Sequence, residues 1–337
     1  MKNASTVHRA LLRPHAGHGP RCAAAPRERF AARAALLALA VLAACGDGGG
    51  SAELSGPASD PPAVLAFREA FETQRYDLVP ALVEDLERAA AAAPDDPRVG
   101  LTLALANLWG AAEISRIGGD PAREATHAFD ALAQLESASR LAPDDARIDG
   151  FIGAVRMRIG LRVGDADLVA RGLAEIEAGI ARHPEFNAFV AILVLSRLER
   201  DDPRFAGTFA AIERTMAACE LPVSEATPAL ALEAPRKDVS GPDRVCWNGP
   251  LALHNWEGTW LFVGDAYAKA GRGELARALY GNAQLFESYA SWGFRPLLEE
   301  RIATADELAA RFSDDDPSND PELVADSAVQ CAVCHAR

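Results

Sequence analysis

A proline–acidic phrase recurs along this chain between stretches of helical periodicity: Ala93-Pro94-Asp95-Asp96, then Ala142-Pro143-Asp144-Asp145, then His183-Pro184-Glu185. Each follows a segment whose apolar residues recur every three to four positions, and each precedes another such segment. Proline cannot continue a helix interior, and a carboxylate just before a helix caps its first N–H groups. The phrase therefore marks a turn between two helices, at spacings of 49 and 41 residues. Asp202-Pro203 gives a similar signal before a helix expected over Arg204–Ala218, and Pro296 opens one expected over Leu297–Phe312. No run of alternating β-branched residues competes. The expected class is all-α.

The fullest unit is Trp260-x-x-Val263-Gly264-x-x-Tyr267, followed by Gly271, Ala276, Tyr280 and Ala283. In this order the residues resemble the tetratricopeptide consensus, a helix–turn–helix repeat of about 34 residues. The resemblance implies that Trp260 and Tyr267 pack one helix, that Gly264 and Ala276 let the two helices approach, and that Tyr280 fills the gap. It departs at the closing proline, where Ser288 stands. Weaker traces run over 63–218: Leu86 and Ala89; Ala131, Leu135 and Ala138; Gly172, Ile176 and Gly179. The spacings between the Pro phrases then imply insertions of about 15 and 7 residues. A generic helical bundle is the competing architecture, and it has the same class.

Charge narrows the partners. Lys and Arg number 34 against 48 Asp and Glu, and the first 44 residues hold seven of the basic residues but only one acid, Glu28. Residues 45–337 carry 27 basic and 47 acidic side chains, a balance of about −20. Nucleic-acid binding, which needs clustered Lys and Arg against phosphate, is excluded.

The basic leader runs into eleven apolar residues, Ala34 to Ala44. That is too short for a bilayer span of about 20 residues and matches the layout of an export signal. Leu42-Ala43-Ala44-Cys45 directly after it resembles the lipobox of bacterial lipoproteins. The resemblance implies cleavage before Cys45 and lipidation of that residue. With Gly46 rather than Asp next, it also implies sorting to the outer membrane, facing the periplasm. Gly46-Asp47-Gly48-Gly49-Gly50-Ser51 makes a flexible tether. An ordinary signal peptide is the alternative, and the long leader leaves open whether Met1 is the true start.

Six cysteines sort by position. Cys22 leaves with the signal and Cys45 takes lipid. In an oxidising compartment Cys219 and Cys246 form the economical bridge, worth about 3–4 kcal/mol in the chain-entropy picture, with two buried thiols as the alternative. Between them and on to Asn255 stand Pro222, Pro228, Pro235, Pro242 and Pro250 without helical period. This reads as an ordered, disulfide-bridged lid against the helices.

The chain closes with Cys331-Ala332-Val333-Cys334-His335. Cys-x-x-Cys-His is the c-type haem attachment signature: two thiols reach the two vinyl groups and the adjacent imidazole coordinates iron. Over these five residues the chain resembles the c-type cytochromes. The resemblance implies haem c, with Cys331 and Cys334 as attachment points and His335 as proximal iron ligand. Most c-type cytochromes continue well past the motif, whereas here Arg337 stands two residues on. The c-prime class, with its motif near the end of a helical bundle, is the nearer parallel. Pro317 and Pro321, however, interrupt the approach to it. A thiol-redox pair, half of a zinc site and a vestigial motif are the alternatives. For the distal position His254, beside Trp256 and Trp260, is the weak candidate, with a structural role as the alternative. His127 and His183 read as surface residues, and Met157 and Met216 as core.

The resulting map has a signal over 1–44, a tether over 45–61, degenerate helical repeats over 62–218 and a Pro-rich insertion over 219–256. The tetratricopeptide-like unit with an end helix spans 257–312, and a flexible acidic tail carrying the motif spans 313–337. No G-x-S-x-G, H-E-x-x-H or phosphate-cradling glycine loop appears, so catalysis has no support in the sequence. The expected function is electron transfer with a docked redox partner or other envelope protein. A non-redox scaffold and an open-iron, peroxidase-like enzyme are the competing classes.

Overall fold

The computed structural model describes residues 60–73, 75–218, 228–229, 248–249, 252–253, 255–314, 316–324 and 330–335. All belong to the unit Gly49–Arg337. Twelve α-helices succeed one another among them: α1 Pro62–Glu72, α2 Val79–Ala92, α3 Pro97–Arg116, α4 Pro121–Leu141, α5 Arg147–Val163 and α6 Ala166–Arg182. The series continues with α7 Pro184–Leu195, α8 Gly207–Ala218, α9 Trp256–Lys269, α10 Gly273–Gly281, α11 Arg295–Ser313 and α12 Gln330–His335. The all-α class holds. A two-residue antiparallel ladder pairs Asn248 with Leu253 and Gly249 with Ala252.

Neighbours in sequence are neighbours in space. Helix α3 packs on α4, α5 on α6, α7 on α8 and α9 on α10, while α1 also touches α3, α5 touches α7, and α9 touches α11. The turns arise from local chemistry. Asp96 accepts the Arg98 N–H at 2.9 Å, and the Arg98 guanidinium closes back on both carboxylate oxygens at 3.0 and 2.7 Å. Asp145 and Arg147 repeat this clasp, as do Asp202 and Arg204. Each aspartate thus satisfies one of the N–H groups that a helix start leaves over and neutralises its own charge. At the third turn the capping is as expected but the helix is not. Residues 203–206 form turns, and α8 begins at Gly207 rather than Arg204.

Two buried regions sit toward the N-terminal half, one around Phe67, Leu86 and Trp109 and one around Leu101, Leu135 and Ile152. The third and largest runs from Ala154 to Cys334. At the α5–α6 crossing, a Cβ on Gly153 would stand 2.5 Å from the Gly172 carbonyl oxygen, and one on Gly172 would meet the Gly153 oxygen at 2.5 Å. Only glycine permits that approach.

The expectation of a flexible tail beyond Phe312 is corrected. Leu323, Val324, Ala332, Val333 and Cys334 are all buried, and four of them belong to the largest core region. Within the acidic, proline-broken run, Pro317–Asn319 form a short 3-10 turn. Beyond it the apolar side chains decide, because burying them against the helices outweighs the composition of the run before them.

Candidate functional site

The candidate site is the end of the chain and the surface that receives it. Two contacts fasten the approach. Asp265 is 1% exposed inside α9. Its carboxylate accepts the Tyr280 hydroxyl at 2.6 Å and the Val324 N–H at 2.8 Å, and it faces Arg301 Nε at 3.3 Å. Arg301 Nη2 in turn donates to the Glu322 carbonyl at 2.9 Å. A buried carboxylate needs this density of partners. Burial and the Asp265 charge push the Tyr280 phenol well above its ordinary range, so its hydroxyl keeps the proton it donates. Residues 322–324 are thereby tied to α9, α10 and α11.

Helix α12 then docks on α9. A helix leaves its last carbonyls without intrahelical partners, and here the receiving surface supplies two. Trp292 Nε1–H donates to the Val333 carbonyl at 3.0 Å, and the Asn255 N–H donates to the Cys334 carbonyl at 2.7 Å. Asn255 is also the N-cap of α9, its side chain accepting the Gly258 N–H at 2.7 Å. Gly258 lies directly beneath: a Cβ there would stand 2.6 Å from the Val333 carbonyl carbon and 2.8 Å from the Cys334 Cα. Val333 is 0% and Cys334 3% exposed. Beside the seat, Trp256 stacks on Trp260 and Phe286 at 6.3 and 6.1 Å between centroids, and Trp292 lies 6.0 Å from Phe294.

Cys331, Cys334 and His335 all fall on α12. Positions i, i+3 and i+4 share one helical face, so the backbone brings the two thiol-bearing residues and the imidazole-bearing residue to one side. These residue types at this spacing are the donor set that a c-type haem uses, while the Cys334 side chain itself is buried against α9. The side chains of Cys331 and His335 are outside the described residues, as are Cys45, Cys219, Cys246 and His254, so the expected lipid site, bridge and distal candidate lie there too. His254 directly precedes Asn255, whose N–H meets the motif.

The remaining distal candidates stand elsewhere. His127 Nδ1 is 2.7 Å from Asn107 Oδ1 and its ring lies over Gly110, where burial lowers its pKa. His183 sits between α6 and α7, 6.3 Å from the Phe186 ring. Met157 and Met216 are in the core, at 0% and 1% exposure. Among the described residues no group of three or more His, Cys, Asp or Glu could hold a metal ion, and no helix is long and apolar enough to cross a membrane.

The receiving surface escaped the sequence reading, although it left traces. Asp265 interrupts the apolar run Leu261-Phe262-Val263-Gly264, and a carboxylate at a core position demands a buried partner. Gly258, a glycine inside a helix, signals close approach by another backbone. Trp292 and Arg301 carried no comparable mark. No protein-family model, no curated protein and no solved structure matches the chain.

Proposed function

We propose that this protein is an exported, lipid-anchored helical-repeat protein of the bacterial envelope that carries one c-type haem on α12 and exchanges electrons with a docked partner. The observation that carries this reading is the common face of Cys331, Cys334 and His335 on a helix docked on α9, with Trp292 bonded to its Val333 carbonyl. The export signal and lipobox-like Leu42-Ala43-Ala44-Cys45 support it, because covalent haem attachment in bacteria takes place outside the cytoplasm. Bound haem would supply reversible one-electron transfer at its iron. Cys331 and Cys334 would hold it through thioether bonds, and His335 would be the proximal ligand. His254, next to Asn255, is the distal candidate. The same reading keeps the Cys219–Cys246 bridge and a tetratricopeptide-like arrangement of the helices. In support of the latter, Gly264 leaves room that the Tyr280 ring occupies, as the consensus positions imply.

A scaffold without haem is the second reading, favoured by one observation: helices that pack pair by pair in chain order build a surface suited to a protein partner. Expression with a haem-maturation system decides between the two. The haem reading expects an intense Soret band, a mass raised by one haem, and colour that survives denaturation. Cys331→Ala with Cys334→Ala removes all three. A colourless protein of unmodified mass, where a control cytochrome matures, leaves the scaffold. Cys45→Ser tests the anchor separately: the variant is expected in the soluble fraction, and retention on membranes overturns it.

A further inference from the structure

A six-residue helix is not stable alone in water, because nucleating the first turn costs more than so few hydrogen bonds return. Helix α12 therefore exists by virtue of its seat. Among the described residues its share of that seat is the side chains of Ala332, Val333 and Cys334, two carbonyls capped by Trp292 and Asn255, and the backbone resting on Gly258. The fastening of residues 322–324 uses other groups, the Asp265 carboxylate and the Arg301 guanidinium. Released from α9, the helix would lose its structure while the strap before it stays in place.

We propose that α12 is a releasable seat that masks the Cys334 thiol: docked on α9 it buries Cys334, and released it presents the motif for reaction. Thiol chemistry at Cys334 then requires the released form. For a haem vinyl group, the S–H adds across the C=C bond, the sulfur bonding one carbon and the hydrogen passing to the other, with no oxidant consumed. A buried sulfur held against α9 offers no approach for such a planar reactant. The seat thus confines reaction at Cys334 to the released form, and Gly258 is the residue that permits docking. Masking itself does not depend on the haem reading. Only the identity of the physiological reactant rests on it.

The test uses the full chain produced without haem maturation and a maleimide as the probe, with peptide mapping to track Cys334. In the native wild type Cys334 is expected to be alkylated at least tenfold more slowly than in urea. Gly258→Ala, which places a Cβ against the Val333 carbonyl, is expected to raise the native rate at least tenfold with the far-UV helical signal retained. Val333→Asp, whose change lies on α12 itself, is expected to do the same and decides the matter if Gly258→Ala loses its fold. A wild-type Cys334 that reacts as fast folded as unfolded overturns the proposal, and so does continued protection of Cys334 in folded Val333→Asp. Failure of the haem reading would appear instead as an unmodified mass under maturation conditions, with the alkylation pattern unchanged.

Discussion

The α5–α6 crossing and the α9–α12 seat use the same device for different ends. In both, a glycine lets another backbone come within the distance a Cβ would occupy. At the crossing the two partners are adjacent 17-residue helices, both of which also pack on α7, so Gly153 and Gly172 belong to the body of the fold. At the seat the partner is six residues long and arrives from 70 or more positions away in the chain. The same contact is thus structural in one place and conditional in the other. Close approach alone does not say which; the length and independent support of the approaching element do.

The sharpest way to break this comparison lies between the two, at Asp265. Asp265→Ala would remove the buried carboxylate that Arg301 Nε faces and that the Val324 N–H donates to, and removing one member of a buried pair costs about 3–5 kcal/mol. Denaturant unfolding should show that loss, with the strap 322–324 becoming protease-sensitive. Gly153→Val comes next. Overpacking a crossing that already touches backbone costs about 1–3 kcal/mol, and it should lower the global midpoint. Gly258→Ala is expected to shift that midpoint by less than about 1 kcal/mol, since only α12 is displaced. If Gly258→Ala proves as costly as Gly153→Val, the seat is part of the body and the contrast disappears.

The smallest effect concerns the turns. The guanidinium of Arg98 holds the Asp96 carboxyl below its usual range, and Arg204 does the same for Asp202. A carboxyl depressed in the folded state stabilises above its unfolded value, near about 3.9, and that contribution is lost as pH falls through the folded value. Asp96→Asn keeps a capping oxygen but not the charge. Its stability should therefore fall less than the wild type's on the acid side, and match it closely at neutral pH because the pair is partly exposed.

Local features were the ones legible in the sequence. The Pro-Asp-Asp phrases located the turns before α3 and α5, and the Trp260 to Ala283 pattern identified residues that are buried in α9, α10 and the turn after them. These signals work because caps and close helix pairs depend on residues only a few positions apart. The fate of the chain end was not legible in that way. Its composition from Ser313 to Pro321 argues for a loose tail, while its docking depends on Asp265, Trp292 and Gly258, which lie far upstream and carry no periodicity that points forward. The start of α8 was misplaced for a related reason: Asp202 and Arg204 close their clasp over a turn, and four residues separate the cap from the helix.

The clasp has a further consequence for how other molecules meet this surface. Arg98, Arg147 and Arg204 each fold their guanidinium onto a carboxylate two residues away, so at short range each pair is a dipole rather than a free cation. In a chain with an excess of 14 acidic over basic residues, arginines bound in this way do little to interrupt the surrounding negative field. A basic protein approaching the helices would be drawn in along that field, whereas an acidic one would be turned away at long range. The association rate should accordingly fall as added salt shortens the screening length toward about 8 Å at physiological ionic strength.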